Sequence, residues 1–388
     1  MERRKNTDFR NENNHIRIAF LGHKTIPSRM GGVEIVVEEL AVRMVERGDQ
    51  VTVYNRNIHH VSGKEFDSKK RKEYKGIRMK YVPTIDKKGL AAVSASFFAS
   101  LAVAFGGYDV VHFHAEGSCA MMWFPKLLGK RCIATIHGLD HQRAKWGRFA
   151  SAYIMAGEKC AVKYADEIIV LSRSLQKYFW DTYGRETRFI PNGVNQPSVK
   201  ECEIIRKKYN LEKDEYILFL SRLVPEKGIC YLIEAFKQIQ TDKKLVIAGG
   251  SSDTGKFVRD LKRSAREDDR ILFTGFVQGE ELEELYSNAY LYVLPSDLEG
   301  MPLSLLEAMS YGNCCLVSDI PECVEVVEDK ALLFEKSNVD DLKEKLQYAC
   351  DYVEDVRCYK EQAADFICQK YNWNRVMEET EQLYRSKK

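Results

Sequence analysis

The sequence predicts an α/β protein of two doubly wound parallel-sheet domains, and three observations carry that reading. Short apolar runs alternate with segments of helical periodicity along nearly the whole chain. The series stops at Pro191-Asn192-Gly193 and restarts at Tyr216, which puts one domain boundary near residue 195. With 388 residues, 45% of them hydrophobic and 30% charged, the chain has material for two cores. It holds no run of the roughly 18 to 20 uncharged apolar residues that spans a bilayer.

The elements follow in order. Met1 to Asn14 is polar, lacks the apolar core of a secretory signal, and reads as a leader without fixed structure. Ile16 to Leu21, ending at Gly22, is the first strand. Val33 to Arg47 has helical periodicity and stops at Gly48. Val51 to Tyr54 is the next strand, and Leu90 to Phe105 reads as a buried helix. Runs 109–114, 131–137, 167–172 and 188–194 complete the first set. The second set has strands at 216–221, 244–248, 271–274, 291–294 and 314–317, each trailed by a helical segment. The domains are therefore 15–195 and 196–365, with a charged C-terminal helix at 366–388 able to cross back onto the first.

Charge is divided unevenly. Residues 1–195 hold 32 Lys/Arg against 20 Asp/Glu, so the remainder of a chain with net charge +2 is acidic. Lys69, Lys70, Arg71, Lys72, Lys75, Lys87 and Lys88 cluster in the basic half, which suits an anionic membrane face or a pyrophosphate-linked lipid. No nucleic-acid motif accompanies the charge. The 11 cysteines include no Cys-x-x-Cys, and Cys314 and Cys315 are adjacent in an apolar run. Buried thiols in a reducing cytoplasm fit that usage better than disulfides or zinc.

Four segments carry candidate chemistry. Ser296-Asp-Leu-Glu299-Gly300-Met301-Pro302-Leu303-Ser-Leu-Leu-Glu307 follows a strand and so leaves the carboxyl edge of a parallel sheet, where doubly wound folds bind ligands. Pro302 can take the first helical position, and the helix N-terminus favours a phosphate. Glu299 and Glu307 can accept hydrogen bonds from vicinal hydroxyls of a sugar or ribose. Ser221-Arg222-Leu-Val-Pro-Glu-Lys227-Gly228 also follows a strand. Its two cations can clamp a diphosphate and stabilise the charge that builds on it as it departs.

Gly31 and Gly32, between the first strand and its helix, let backbone amides approach a phosphate. They do not form the Gly-x-Gly-x-x-Gly dinucleotide fingerprint. His112 and His114 stand at one strand end, where a histidine is commonly structural. His137, followed by Gly138 and Asp140, sits in an open loop suited to touching a sugar or moving a proton. No Asp-x-Asp and no His/Asp/Glu set with ligand spacing occurs, so the chemistry is expected to need neither metal nor cofactor.

These segments resemble the family 4 retaining glycosyltransferases of the GT-B fold, from about Ile16 to the C-terminal helix. The resemblance implies two Rossmann-like domains facing each other across a cleft. It implies a nucleotide diphosphate sugar as donor substrate, with Arg222 and Lys227 on the diphosphate, Glu299 on the donor sugar and Glu307 on the ribose. It places Gly31 and Gly32 near the phosphates and His137 near the transferred sugar. His114, Asp140, Gly300, Met301 and Leu303 border the same substrate site. Many members read Gly where this chain has Pro302, which removes one backbone donor from that loop.

Ile26-Pro-Ser-Arg-Met-Gly-Gly-Val-Glu34 and 137–147 are similar to bacterial rhamnosyltransferase-like enzymes of capsule and exopolysaccharide assembly. That implies a glycan or lipid-linked oligosaccharide acceptor at the inner face of the plasma membrane. An epimerase of the same fold would need no acceptor. A periplasmic sugar-binding protein would need a signal sequence; a non-catalytic partner subunit is the other alternative, with the intact motifs against it and Pro302 in its favour.

Overall fold

The computed structural model describes residues 15–386 apart from 30, 61, 64–65, 68, 88, 143–146 and 252–253. The expected leader and Lys88 of the basic cluster lie outside the described residues. The first sheet contains β1 (Arg17–Leu21), β2 (Gln50–Arg56), β3 (Glu73–Tyr74), β4 (Ile77–Val82), β5 (Val110–His114), β6 (Arg131–Ile136), β7 (Glu167–Val170) and β8 (Arg188–Phe189). Helices α1 (Gly32–Glu46), α2 (Leu90–Ala104), α3 (Glu116–Cys119), α4 (Trp123–Leu127), α5 (Arg148–Tyr164) and α6 (Arg173–Tyr183) pack around it. The second domain runs α7 (Ile204–Tyr209), β9 (Tyr216–Leu220), α8 (Ile229–Phe236), β10 (Lys244–Ala248), α9 (Gly255–Ser264), β11 (Ile271–Gly275) and α10 (Glu280–Ser287). It continues with β12 (Leu291–Leu294), α11 (Leu303–Ser310), β13 (Cys314–Ser318), α12 (Pro321–Val327), β14 (Leu332–Phe334), α13 (Val339–Asp351), α14 (Val353–Lys370) and α15 (Trp373–Arg385).

Strand order is β3-β4-β2-β1-β5-β6-β7-β8 in the first sheet and β11-β10-β9-β12-β13-β14 in the second. Every pairing is parallel except β3 with β4. Central strands such as Ile217-Leu218-Phe219 and Leu291–Leu294 are wholly buried, because helices cover both faces and no side of the strand meets water. The order reverses between β1 and β5 and again between β9 and β12. At these two points the loops leave in opposite directions and open a crevice.

Helix ends follow the local sequence. Ser172 accepts from the Leu175 amide at 3.3 Å to start α6, and Gly184, at φ 60°, ends it in the left-handed conformation that glycine adopts without strain. Pro302 precedes the first turn of α11, at φ −77° and ψ 98°, instead of occupying its first helical position. Sequence reading also missed the β3–β4 hairpin. Its exposed Arg78 and Lys80 alternate with buried Ile77 and Met79 near a sheet edge, where charge protects against further pairing.

The largest correction concerns α2. It was expected to be buried, yet only its small-residue face is, through Ala95, Ser96, Ala99, Ser100, Val103 and Ala104. The alanines and serines let the helix approach the sheet closely and turn Phe97, Phe98 and Leu101 to solvent.

Helix α15 at the C-terminus packs on α1 of the first domain. Arg47 pairs with Glu378 and Glu381, and Tyr384 OH meets His112 Nδ1 at 2.5 Å. Trp373 lies against Gly193 so closely that a Cβ there would sit 2.6 Å from the indole. This tie joins the two domains at the linker.

Candidate functional site

Both reversal points open into one cleft of about 880 Å³, bordered by residues of each domain. On the second-domain side the site is built where β9 and β12 end. Gly228 lets the Arg222–Lys227 loop come against the end of β12, since a Cβ at Gly228 would sit 1.8 Å from the Pro295 carbonyl oxygen. Glycine also tolerates the φ of 65° found there. The close approach brings Lys227 Nζ onto Glu299 Oε1, and Ser296 Oγ donates to the same carboxylate oxygen at 2.7 Å. The Lys227 and Glu299 side chains are 9% and 7% exposed, so the pair is shielded from water. Arg222 borders the cleft beside them.

Glu307, on the inward side of α11, accepts from Tyr286 OH at 3.2 Å. Arg29 Nη1 of the first domain reaches its other oxygen at 3.3 Å. Burial pushes the Glu307 carboxyl above its ordinary range, while Arg29 and Tyr286 pull the other way.

The first-domain side is held by glycines and histidines. Lys24 N donates to Glu34 Oε1 at 2.8 Å, folding the Gly31-Gly32 loop onto the start of α1. Gly32 faces Leu303, whose Cδ1 would lie 3.1 Å from a Cβ at that position. His114 Nδ1 and His137 Nε2 are 3.0 Å apart, so one ring donates to the other. Burial holds His114 well below the ordinary imidazole range and His23 at about 4, which keeps these two rings uncharged near neutrality. His112 is enclosed between Tyr384 OH and Thr135 Oγ1, the latter at 2.7 Å, in agreement with a structural reading.

Gly300 seals the two halves together. A Cβ there would fall 1.6 Å from the His137 carbonyl oxygen. Met301 Sδ accepts from the Asn192 amide at 3.0 Å.

The fold therefore brings His137, Asp140, Gly31, Gly32, Arg222, Lys227, Glu299, Gly300, Met301, Leu303 and Glu307 to the rim of one cleft. His114 stands behind it, reaching the cleft through His137. Arg29, Glu34, Tyr286 and Ser296 were not singled out from sequence. Arg29 and Glu34 flank the paired glycines and Ser296 begins the quoted Glu299 segment, so those three were within reach. Tyr286 had no such signal. Among the described residues, one group of His, Asp, Glu or Cys can hold an ion, Glu116 with His141 and Glu158 in the first domain, and it does not include the Lys227–Glu299 pair.

The family described as Glycosyltransferase Family 4 matches residues 30–196, and Glycosyl transferases group 1 matches 201–366. An uncharacterised glycosyltransferase of Methanocaldococcus jannaschii is 28% identical over 72% of this chain and 75% of its own length. An Escherichia coli UDP-Gal:α-D-GlcNAc-diphosphoundecaprenol α-1,3-galactosyltransferase is 28% identical over 60% of this chain and 64% of its own. Among solved structures, Anabaena HepE in complex with UDP and glucose superposes with a TM-score of 0.79 at 17% identity, covering 95% of this chain and 99% of that one. Sucrose-phosphate synthase of Thermosynechococcus elongatus gives 0.76 at 23% identity, covering 96% and 98%.

Proposed function

This chain is a glycosyltransferase of the GT-B fold, belonging to the family 4 and group 1 class, and from that premise we propose that it transfers a hexose or deoxyhexose from a nucleotide diphosphate sugar to a glycan or lipid-linked acceptor in polysaccharide assembly. Rhamnose is one candidate sugar. The observation that carries the reading is the meeting of the Arg222–Lys227 and Glu299 loops where β9 and β12 diverge.

In this reading Arg222 and Lys227 hold the diphosphate and stabilise its charge as the glycosidic bond to it breaks. Glu299 orients the donor sugar, and Glu307 accepts from the ribose hydroxyls. Transfer retains configuration. The acceptor hydroxyl attacks the anomeric carbon on the leaving-group face, the new C–O bond forms as the old one breaks, and the diphosphate oxygen takes the acceptor proton. Positive charge from the two side chains does work that a metal does in other transferases. His137, steadied by His114, borders the transferred sugar.

The acceptor side is assigned to the first domain, in peripheral contact with an anionic membrane. No helix among the described residues is long and apolar enough to cross one. Support comes from the basic half and from the solvent face of α2 and α4. Phe97, Phe98, Leu101, Phe105, Trp123, Leu127 and Leu128 are exposed there. The Phe105 and Phe124 rings, 5.9 Å apart, make the patch continuous between the two helices. The name of the Escherichia coli relative specifies a diphosphoundecaprenol acceptor, which fits such a surface.

Thermal stabilisation against a panel of nucleotide diphosphates and their sugars, without added metal, tests the donor site. One nucleotide and its sugar should raise Tm, by about 2.7 kcal/mol of stability at a hundredfold excess over Kd. Arg222→Ala should abolish the shift. Folded protein that responds to none of the panel defeats the proposal.

A further inference from the structure

Beneath the His137 loop, three elements aim polar atoms at one point. Glu116 begins α3 directly after β5, His141 lies in the turn that follows His137-Gly138, and Glu158 projects from α5. Both glutamates are 0% exposed. Each carboxylate has one oxygen anchored, Glu116 Oε2 by the Asp140 amide at 2.8 Å and Glu158 Oε1 by Tyr178 OH at 2.9 Å and by Tyr183 OH. The other oxygens, Glu116 Oε1 and Glu158 Oε2, are buried with no hydrogen-bond partner, and so is His141 Nδ1.

These three atoms lie within 4.8 Å of one another, with His141 Nδ1 3.7 Å from Glu116 Oε1 and 3.6 Å from Glu158 Oε2. Those gaps are long for hydrogen bonds. A tetrahedral ion about 2.1 Å from each ligand sets its ligands about 3.4 Å apart, close to the separations found. Two facing buried carboxylates need a cation or a shared proton between them. Anchoring the outer oxygens by an amide and two phenols is the arrangement that orients metal ligands.

We propose that Glu116, His141 and Glu158 form a structural site for a divalent first-row transition ion, with water completing its coordination. The ion would tie α3, the 140–142 turn and α5 together behind the loop that carries His137. It takes no part in the transfer step. The set was invisible in sequence because Glu116 and Glu158 are 42 residues apart and follow no ligand spacing.

Equilibrium dialysis of the chelator-treated full chain against Zn2+ and Mn2+, read by elemental analysis, tests this without any glycosyl donor. Wild type should bind one equivalent more than His141→Ala and Glu116→Gln, with Zn2+ tighter than Mn2+. Zn2+ should raise the Tm of wild type only. Tyr183→Phe keeps all three ligands and should weaken binding by about 10- to 100-fold, which decides the matter if the ligand variants do not fold. Equal stoichiometry and affinity in wild type and variants, or no ion bound by wild type at about 100 μM, a free concentration far above the Kd of protein zinc sites, overturns the proposal in favour of a proton shared by the two glutamates.

Discussion

Lys227 and Glu299 are 72 residues apart in sequence and form an ion pair in the wall of the cleft, with Ser296 as a second donor to the carboxylate. Removing one partner leaves the other enclosed without this counter-charge, at a cost of about 3–5 kcal/mol. Lys227→Met and Glu299→Gln should therefore each lower stability in urea unfolding, and the double variant should lose less than the two combined. Turnover should behave differently. Lys227→Met removes a cation proposed to face the departing diphosphate and should cut kcat by about 10²- to 10³-fold. If turnover in that variant stays within about twofold, a shift of only ~0.4 kcal/mol, the diphosphate contact is wrongly assigned.

Gly300 allows the second domain to touch the backbone of His137 directly, with 1.6 Å available for any Cβ. Gly300→Ala must push the two surfaces apart by more than an ångström. A misplacement of that size costs about 10²-fold in rate when reacting groups must align. The nucleotide contacts proposed for Arg222, Lys227 and Glu307 all come from the second domain, so kcat should fall while nucleotide Kd, measured by calorimetry, stays near wild type. An unchanged kcat would show that the closed contact is not the reactive one.

Much of this frame was legible because it is local. Strands such as Ile16 to Leu21 and Leu291 to Leu294 are short apolar runs, and the residues just beyond them fall at sheet edges by topology alone. The partners of those residues were not legible. Arg29 reaches Glu307 across 278 positions and His112 reaches Tyr384 across 272, and nothing in either neighbourhood announces the contact. Helix α2 misled for a physical reason. A run of Leu, Phe, Val and Ala reads as core by hydropathy, but the helix buries its small residues and exposes its large ones.

Glu307 sets stability against binding. Its folded pKa is raised, so the group stabilises the fold fully below its unfolded value of about 4.5, and that contribution is lost as pH rises through the folded pKa. Near neutrality the carboxylate is a net burden on the fold. Glu307→Gln should raise Tm at pH 7 and leave it nearly unchanged at pH 4, measured by calorimetry. If Glu307 accepts from the ribose as proposed, the same variant should bind nucleotide more weakly, because a hydroxyl then meets an amide in place of a carboxylate. A fall in Tm at pH 7 contradicts the assigned direction.

Phe105 and Leu127 are 74% and 70% exposed at adjoining ends of α2 and α4. Each buried side chain of this size is worth about 1.5–3 kcal/mol on transfer from water. Phe105→Ser with Leu127→Ser should weaken co-sedimentation with phosphatidylglycerol vesicles by at least about 10²-fold. The double variant should also be as stable as wild type, and as active on a short water-soluble acceptor. Equal sedimentation of variant and wild type removes this face from the membrane contact. Undiminished binding to purely zwitterionic vesicles would show that the basic half adds nothing.

The His112–Tyr384 contact lets the structural histidine be tested apart from His137, the one proposed to act on substrate. Burial lowers His112 to about 3, so the ring is neutral in the fold and can both donate and accept between Tyr384 and Thr135. Its contribution is full above the unfolded value of about 6.5 and is lost as pH falls from there toward 3. Tyr384→Phe leaves Nδ1 buried without a partner, a loss of about 1–3 kcal/mol. That loss should appear in urea unfolding at pH 7.5 and persist at pH 5, where the ring is still neutral in the fold and protonation of the unfolded chain weakens both proteins alike. Donor affinity and kcat should stay within about twofold, since no residue of α15 is among those that border the cleft, and a twofold change is only ~0.4 kcal/mol. His137→Ala should do the reverse, keeping stability and losing turnover. Should Tyr384→Phe abolish turnover without unfolding the protein, the C-terminal helix governs closure of the cleft and does more than fasten the two domains.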